Sequence, residues 1–156
     1  MKNLVAATKS LFVKLLLRFS SFYLKNNFFQ MGKQFYWDHV CVPYLSWRDT
    51  EIVCPAQFGQ RMQVRPIDFI ENRICFFGVY EPNVTTVFQS SVRTGDIVLD
   101  IGANIGYYTL LASKLVGPTG KVYAVEPSQI NRLRLQHNLQ LNNVTERDGS
   151  TLCRMG

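Results

Sequence analysis

Apolar residues recur at helical spacing through the first part of the chain. Phe12, Leu16, Phe19 and Tyr23 follow at i, i+4, i+7 and i+11, with Leu4, Val5, Leu11, Val13, Leu15, Leu17, Phe22 and Leu24 around them. That period predicts an amphipathic N-terminal helix, with Lys14, Arg18 and Lys25 sharing another side. From residue 34 to 66 the period dissolves into aromatics and prolines: Phe35, Tyr36, Trp37, Tyr44, Trp47 and Phe58 among Pro43, Pro55 and Pro66. Short strands are expected around Glu51–Cys54 and Arg61–Arg65, broken by Pro55 and Gly59. Residues 68–78 suit a short helix or a helix–strand mixture. Glu81-Pro82 then opens a helix with proline at its first position. Its expected apolar face is Val84, Val87, Phe88 and Val92, and Gly95 is its expected close.

After Gly95 the pattern sharpens. Ile97-Val98-Leu99-Asp100 is an apolar run ending in an acid, which reads as a buried strand. A glycine-bearing loop, Ile101 to Gly106, leads into a helix from Tyr107 to Val116 that Gly117-Pro118 stops. Lys121 to Glu126 is a second strand ending in an acid. Ser128 caps a further helix whose expected apolar face is Ile130, Leu133, His137 and Leu141, ending near Asn142-Asn143. The order strand, loop, helix, strand, helix predicts a right-handed βαβ unit in a parallel α/β sheet. The tail after Asn143 has no apolar run and does not read as a third strand. Three regions result: a basic amphipathic helix over 1–33, an extension of short elements over 34–94, and the start of an α/β domain over 95–156. Because a doubly wound sheet has about six strands, the chain reads as a fragment of such a domain.

Composition changes this picture little: 156 residues, 47% hydrophobic and 18% charged, describe ordinary globular protein and exclude collagenous or wholly disordered chains. Charge changes it more. The net charge is +6, and Lys2, Lys9, Lys14, Arg18, Lys25 and Lys33 all fall in the first 33 residues, which contain no acid; eleven residues of each sign remain beyond. This basic helix either docks on the domain or a sister subunit, or lies on a membrane surface. No run approaches the 18 or more apolar residues of a span. Lys9, Lys14 and Arg18 interrupt any signal-peptide core, so a cytoplasmic location is expected, with membrane association open. The four cysteines, Cys41, Cys54, Cys75 and Cys153, form no CxxC pair and read as small hydrophobes in a reducing compartment, with no metal site. His137 is expected to be partly buried, and His39 has no visible partner in the sequence.

The chemistry lies in the loop. Glycines let a ligand approach backbone, and a helix N-terminus offers unpaired N–H groups. Open α/β sheets bind ligands at the carboxyl ends of their strands. Glu126, closing the second strand, stands where an acid can accept both hydroxyls of a ribose. A dinucleotide loop has the form G-x-G-x-x-G, whereas this chain places Gly102, Asn104 and Gly106 at every second residue after Asp100. Asn104 is the non-glycine residue that best tolerates a left-handed backbone. The acid at Asp100 suits a ligand with a cationic end, favouring S-adenosylmethionine over NAD without excluding the latter.

The strings Gly78-Val79-Tyr80-Glu81-Pro82, Gly95 to Thr109 and Gly117 to Ser128, with Asn138 and Asn142, resemble the FkbM family of class I S-adenosylmethionine-dependent methyltransferases. The resemblance runs from about Gln63 to Val144. It implies an incomplete Rossmann-like class I methyltransferase fold acting on a hydroxyl oxygen of a sugar or natural-product-like small molecule, with no nucleic-acid partner. By matching positions, it implies that Asp100, Gly102, Asn104 and Gly106 surround the methionine part of S-adenosylmethionine, that Glu126 holds the ribose, and that Glu81 borders the pocket. It names no catalytic base. Tyr107 and Tyr108 are expected to pack rather than react. Two other readings stay open: another Rossmann nucleotide-binding protein such as a dehydrogenase, and a non-catalytic membrane-associated or interaction module.

Overall fold

The structure, a computed structural model, describes residues 2–25, 32–144 and 150–152, and side chains for 10–25 and 32–144. Cys153 and most of the tail after Val144 lie outside the described residues. The chain divides into two compact units, 1–57 with 64–80, and 58–63 with 81–156.

The first unit is built on helix α1 (Lys2–Lys25), followed by α2 (Lys33–Tyr36), a wide π-type helical segment (Trp37–Leu45), strand β1 (Ile52–Pro55) and α3 (Phe69–Phe77). Burial of Leu17, Leu24, Cys41, Leu45, Ile52, Cys54, Ile74, Cys75 and Phe76 makes its core. Residues 69–77 are wholly helical, settling the ambiguity of that stretch: the Asp68 carboxylate accepts from Ile70 N and Glu71 N at 2.9 and 3.1 Å, and Gly78 closes the helix at φ 76°. α1 docks through its buried serines, Ser21 Oγ donating to Cys75 O at 2.7 Å. Cys41, Cys54 and Cys75 are free thiols; Cys54 and Cys75 stand 3.5 Å apart, and burial pushes the Cys41 thiol up to about 11. His39 has partners after all, stacking on Phe35 at 4.1 Å with Nδ1 3.0 Å from Phe35 O one turn away.

The second unit holds α4 (Pro82–Ser91), β3 (Ile97–Ile101), α5 (Tyr107–Val116), a 3-10 turn over Gly117–Thr119, β4 (Lys121–Val125), α6 (Gln129–Leu141) and β5 (Ser150–Leu152). The three strands form one parallel sheet in the order β3-β4-β5, with Ile97 opposite Lys121 and Ile101 opposite Val125. Its packed layer is Ala112, Val116 and Val122, with Phe88, Val92 and Val98 against them.

Four expectations are corrected here. The tail does contribute a strand: Ser150–Leu152 pairs with Val122–Ala124 of β4, so pairing with a formed neighbour supplies what local hydrophobicity lacked. Among the described residues β3 is covered on one face only, by α5, and its Ile97, Leu99 and Ile101 are 71, 59 and 75% exposed. α4 stops at Ser91, before Gly95, where Val92 turns extended and the Asp96 carboxylate accepts from Arg93 N at 2.8 Å. It buries Thr85 and half-buries Phe88, with Val92 half-buried just past its end, while Val84 and Val87 stay outside. α6 likewise presents Leu135, Asn138 and Leu139 inward and leaves Ile130, Leu133 and His137 exposed.

Candidate functional site

Parallel pairing in register brings the carboxyl ends of β3 and β4 level, with Asp100 opposite Ala124 and Glu126 one residue past β4. The loop after β3 is then tied down residue by residue. Gly102 N and Ala103 N both donate to Val125 O, at 2.8 and 3.1 Å, and Gly106 N donates to Ala103 O at 2.8 Å. Three loop residues take left-handed backbone, Gly102 at φ 80°, Asn104 at 50° and Gly106 at 94°. The alternation of Gly, Asn and Gly at these positions is therefore a conformational requirement.

The two outer glycines serve different purposes. A Cβ on Gly106 would lie 2.4 Å from Leu135 Cδ1, so this glycine lets α6 close against the start of α5. A Cβ on Gly102 would meet nothing within 4 Å, so space lies open beside that backbone.

Glu126 is 9% exposed and anchored at both oxygens. Oε2 accepts from Asn104 N at 2.8 Å and Oε1 from Ser128 N at 2.9 Å, while Arg132 Nη1 donates to the Glu126 and Pro127 carbonyls at 2.9 and 2.6 Å. Asp100 turns toward α5, where its Oδ2 accepts from Thr109 Oγ1 at 2.5 Å. Burial raises its pKa above the usual carboxylate value, the Glu126 charge adds to this, and the Thr109 hydrogen bonds oppose it. Two carboxylates therefore stand at neighbouring strand ends, each held by hydrogen bonds.

Asp100, Gly102, Asn104, Gly106 and Glu126 thus lie together at the carboxyl ends of β3 and β4 and in the loop between β3 and α5. Glu81 stands apart from their network. It starts α4 at φ 47°, and its Oε2 accepts from Tyr108 Oη at 3.4 Å, which places it beside the first turn of α5. Tyr107 is buried, packed on Phe58 at 5.3 Å with its hydroxyl 3.2 Å from Thr85 Oγ1; both tyrosines sit in an aromatic group with Phe88.

Sequence reasoning gave no role to Thr109, Arg132 or Leu135. Thr109 carries a signal in hindsight: a hydroxyl three residues after the loop's last glycine faces back toward the strand that feeds the loop. Asn138, quoted for its resemblance alone, proves to be fully buried. Its side chain accepts from Gln63 N at 2.7 Å, on strand β2 (Arg61–Val64), and donates to Ile105 O at 2.9 Å, so it holds the loop from behind. Among the described residues no group of three or more His, Cys, Asp or Glu could hold a metal ion.

Residues 100–153 match the methyltransferase FkbM domain. The match covers about a third of the chain and makes this segment similar to that family, and S-adenosylmethionine is the cofactor expected for it. Over 62 residues the chain is 41% identical to a protein-L-isoaspartate O-methyltransferase of Ignicoccus hospitalis, covering 38% of this chain and 29% of that protein. The chain therefore spans under a third of the length of this curated relative. Among solved structures, P. horikoshii TYW2 in complex with MeSAdo superposes with a TM-score of 0.50 at 22% identity, covering 71% of this chain and 38% of that one. A SAM-dependent methyltransferase from Aquifex aeolicus is similar at a TM-score of 0.42 and 23% identity, covering 55% and 42%. The fold is Rossmann-like, of the class I methyltransferase type.

Proposed function

We propose that the chain carries the cofactor-binding part of an S-adenosylmethionine-dependent O-methyltransferase whose acceptor is a hydroxyl on a sugar or natural-product-like small molecule. One observation carries this reading: the Glu126 carboxylate is fixed at the end of β4 by the N–H groups of Asn104 and Ser128. An ionised carboxylate has about four acceptor positions. Two are taken by backbone, which leaves two for the hydroxyl pair of a ribose and orients them in advance.

The other residues fit the same ligand. Open space at Gly102 admits a group against the backbone. Asp100 offers a negative charge to an α-amino or sulfonium group, with Asn104 and Gly106 completing the loop around the methionine part and Glu81 bordering it. When bound, S-adenosylmethionine supplies a methyl group activated for displacement by an acceptor oxygen. The chain's share is to hold that ligand in one orientation, so that the acceptor meets it in near-attack geometry.

Thermal-shift measurements with S-adenosylmethionine, S-adenosylhomocysteine and NAD test the reading. The first two are expected to raise the melting temperature, by about 2.7 kcal/mol of stabilisation at a hundredfold excess over Kd, and NAD to leave it unmoved. Stabilisation by NAD alone would contradict it. With methyl-labelled cofactor and hydroxylated acceptors, label recovered on nitrogen rather than oxygen would contradict the acceptor class.

A further inference from the structure

Helix α1 has two apolar faces. Leu17 and Leu24, with Ser20 and Ser21, are buried against the first unit. On the diametrically opposite side stand Leu11, Phe12, Leu15, Phe19 and Phe22, each between 54 and 65% exposed. A docked helix ordinarily turns polar residues outward; this one turns outward five large apolar side chains, three of them phenylalanines. At 1.5 Å per residue the ridge is about 16 Å long. Lys14 and Arg18, one turn apart and both exposed, run along one border of it. No acid occurs in the first 33 residues, so nothing on the helix offsets those charges.

We propose that this outer face of α1 is a docking surface for an anionic lipid bilayer, with the helix lying in the plane of the interface. Charge decides the occupant. A ridge that is apolar at its crest and exclusively basic at its border matches acyl chains beneath anionic headgroups. A second copy packed antiparallel on this ridge would set Lys14 and Arg18 on the same side as their own counterparts, and no packing of two copies supplies an acid from this helix to meet them. Spanning is excluded for the described helices, none of which is long and apolar enough to cross a membrane. Lys25 takes no part, because its ammonium donates to Pro55 O at 2.7 Å on the inner side.

The test is co-sedimentation of the full chain with vesicles of phosphatidylcholine alone and of phosphatidylcholine with phosphatidylserine. The chain is expected to pellet with the phosphatidylserine vesicles and to be released by high salt. Each basic side chain near such a surface contributes about a fivefold factor, so Lys14→Gln with Arg18→Gln should weaken binding roughly 25-fold. Phe12→Ser with Phe22→Ser, at exposed positions that leave the core intact, should abolish it, with an unchanged circular dichroism spectrum. Three results would overturn the proposal: no pelleting with phosphatidylserine vesicles, equal pelleting with both vesicle types, or a dimer by light scattering that the phenylalanine variant dissolves while lipid binding is absent. None of these bears on cofactor binding, so this inference and the proposed activity fail separately.

Discussion

Asp100 accepts a hydrogen bond from Thr109 while burial and the neighbouring Glu126 charge raise its pKa. Its native state therefore binds a proton more tightly than the unfolded chain does. The stability that this proton brings is fully present below the unfolded value, near 3.8, and is lost as pH rises through the raised native value. In Asp100→Asn the loss disappears, so the melting temperature of the variant relative to the native chain should climb across that window. Affinity for a cationic ligand should run the other way, falling in the native chain as pH drops toward the native pKa, and lying lower and flat in Asp100→Asn. Melting curves and titrations at several pH values check both; a difference independent of pH would contradict the assignment. The two loop glycines make a second pair of outcomes. Gly106→Ala should cost about 2–4 kcal/mol by chemical denaturation, from left-handed strain plus the collision with buried Leu135. Gly102→Ala should cost only about 1–2 kcal/mol of strain and show its larger effect in cofactor affinity, since its methyl enters the open space.

Elements in this chain are legible where their signals are local. α5 begins after Gly106 and ends at Gly117-Pro118, and both bounds follow from the sequence because a left-handed cap and a proline act within one turn. The inward face of α6 does not follow. Its central buried residue is polar, and Asn138 is satisfied by Gln63, 75 positions away in the chain. Asn142 does the same with Arg61, accepting from its N–H at 2.8 Å and donating to its carbonyl at 2.7 Å. A hydrophobic-periodicity reading selects Ile130 and Leu133 instead, which solvent reaches. Asn138→Ala should destabilise by about 2–3 kcal/mol, because Gln63 N–H and Ile105 C=O lose a buried partner. Asn142→Ala, at a more exposed position, should cost less than half of that. Equal losses in denaturant titrations would contradict the anchoring role of Asn138.

At the scale of the molecule, the sheet explains why composition misleads about β3. Ile97, Leu99 and Ile101 have the composition of a buried strand, yet which face is covered depends on the layers packed on it, not on the strand itself. The candidate site was more legible than the sheet around it, since loop, caps and strand-end acids lie within Asp100 to Ser128 and depend mostly on one another. Parallel pairing then does the assembling, by levelling two strand ends so that Asn104 N reaches Glu126. Calorimetric titration of the chain with S-adenosylmethionine, alongside Glu126→Ala, tests that assembly most directly. One site is predicted, with affinity falling about tenfold or more in the variant, as expected for loss of charged hydrogen bonds to two hydroxyls. Absence of binding by the native chain, or the same affinity in Glu126→Ala, would contradict it.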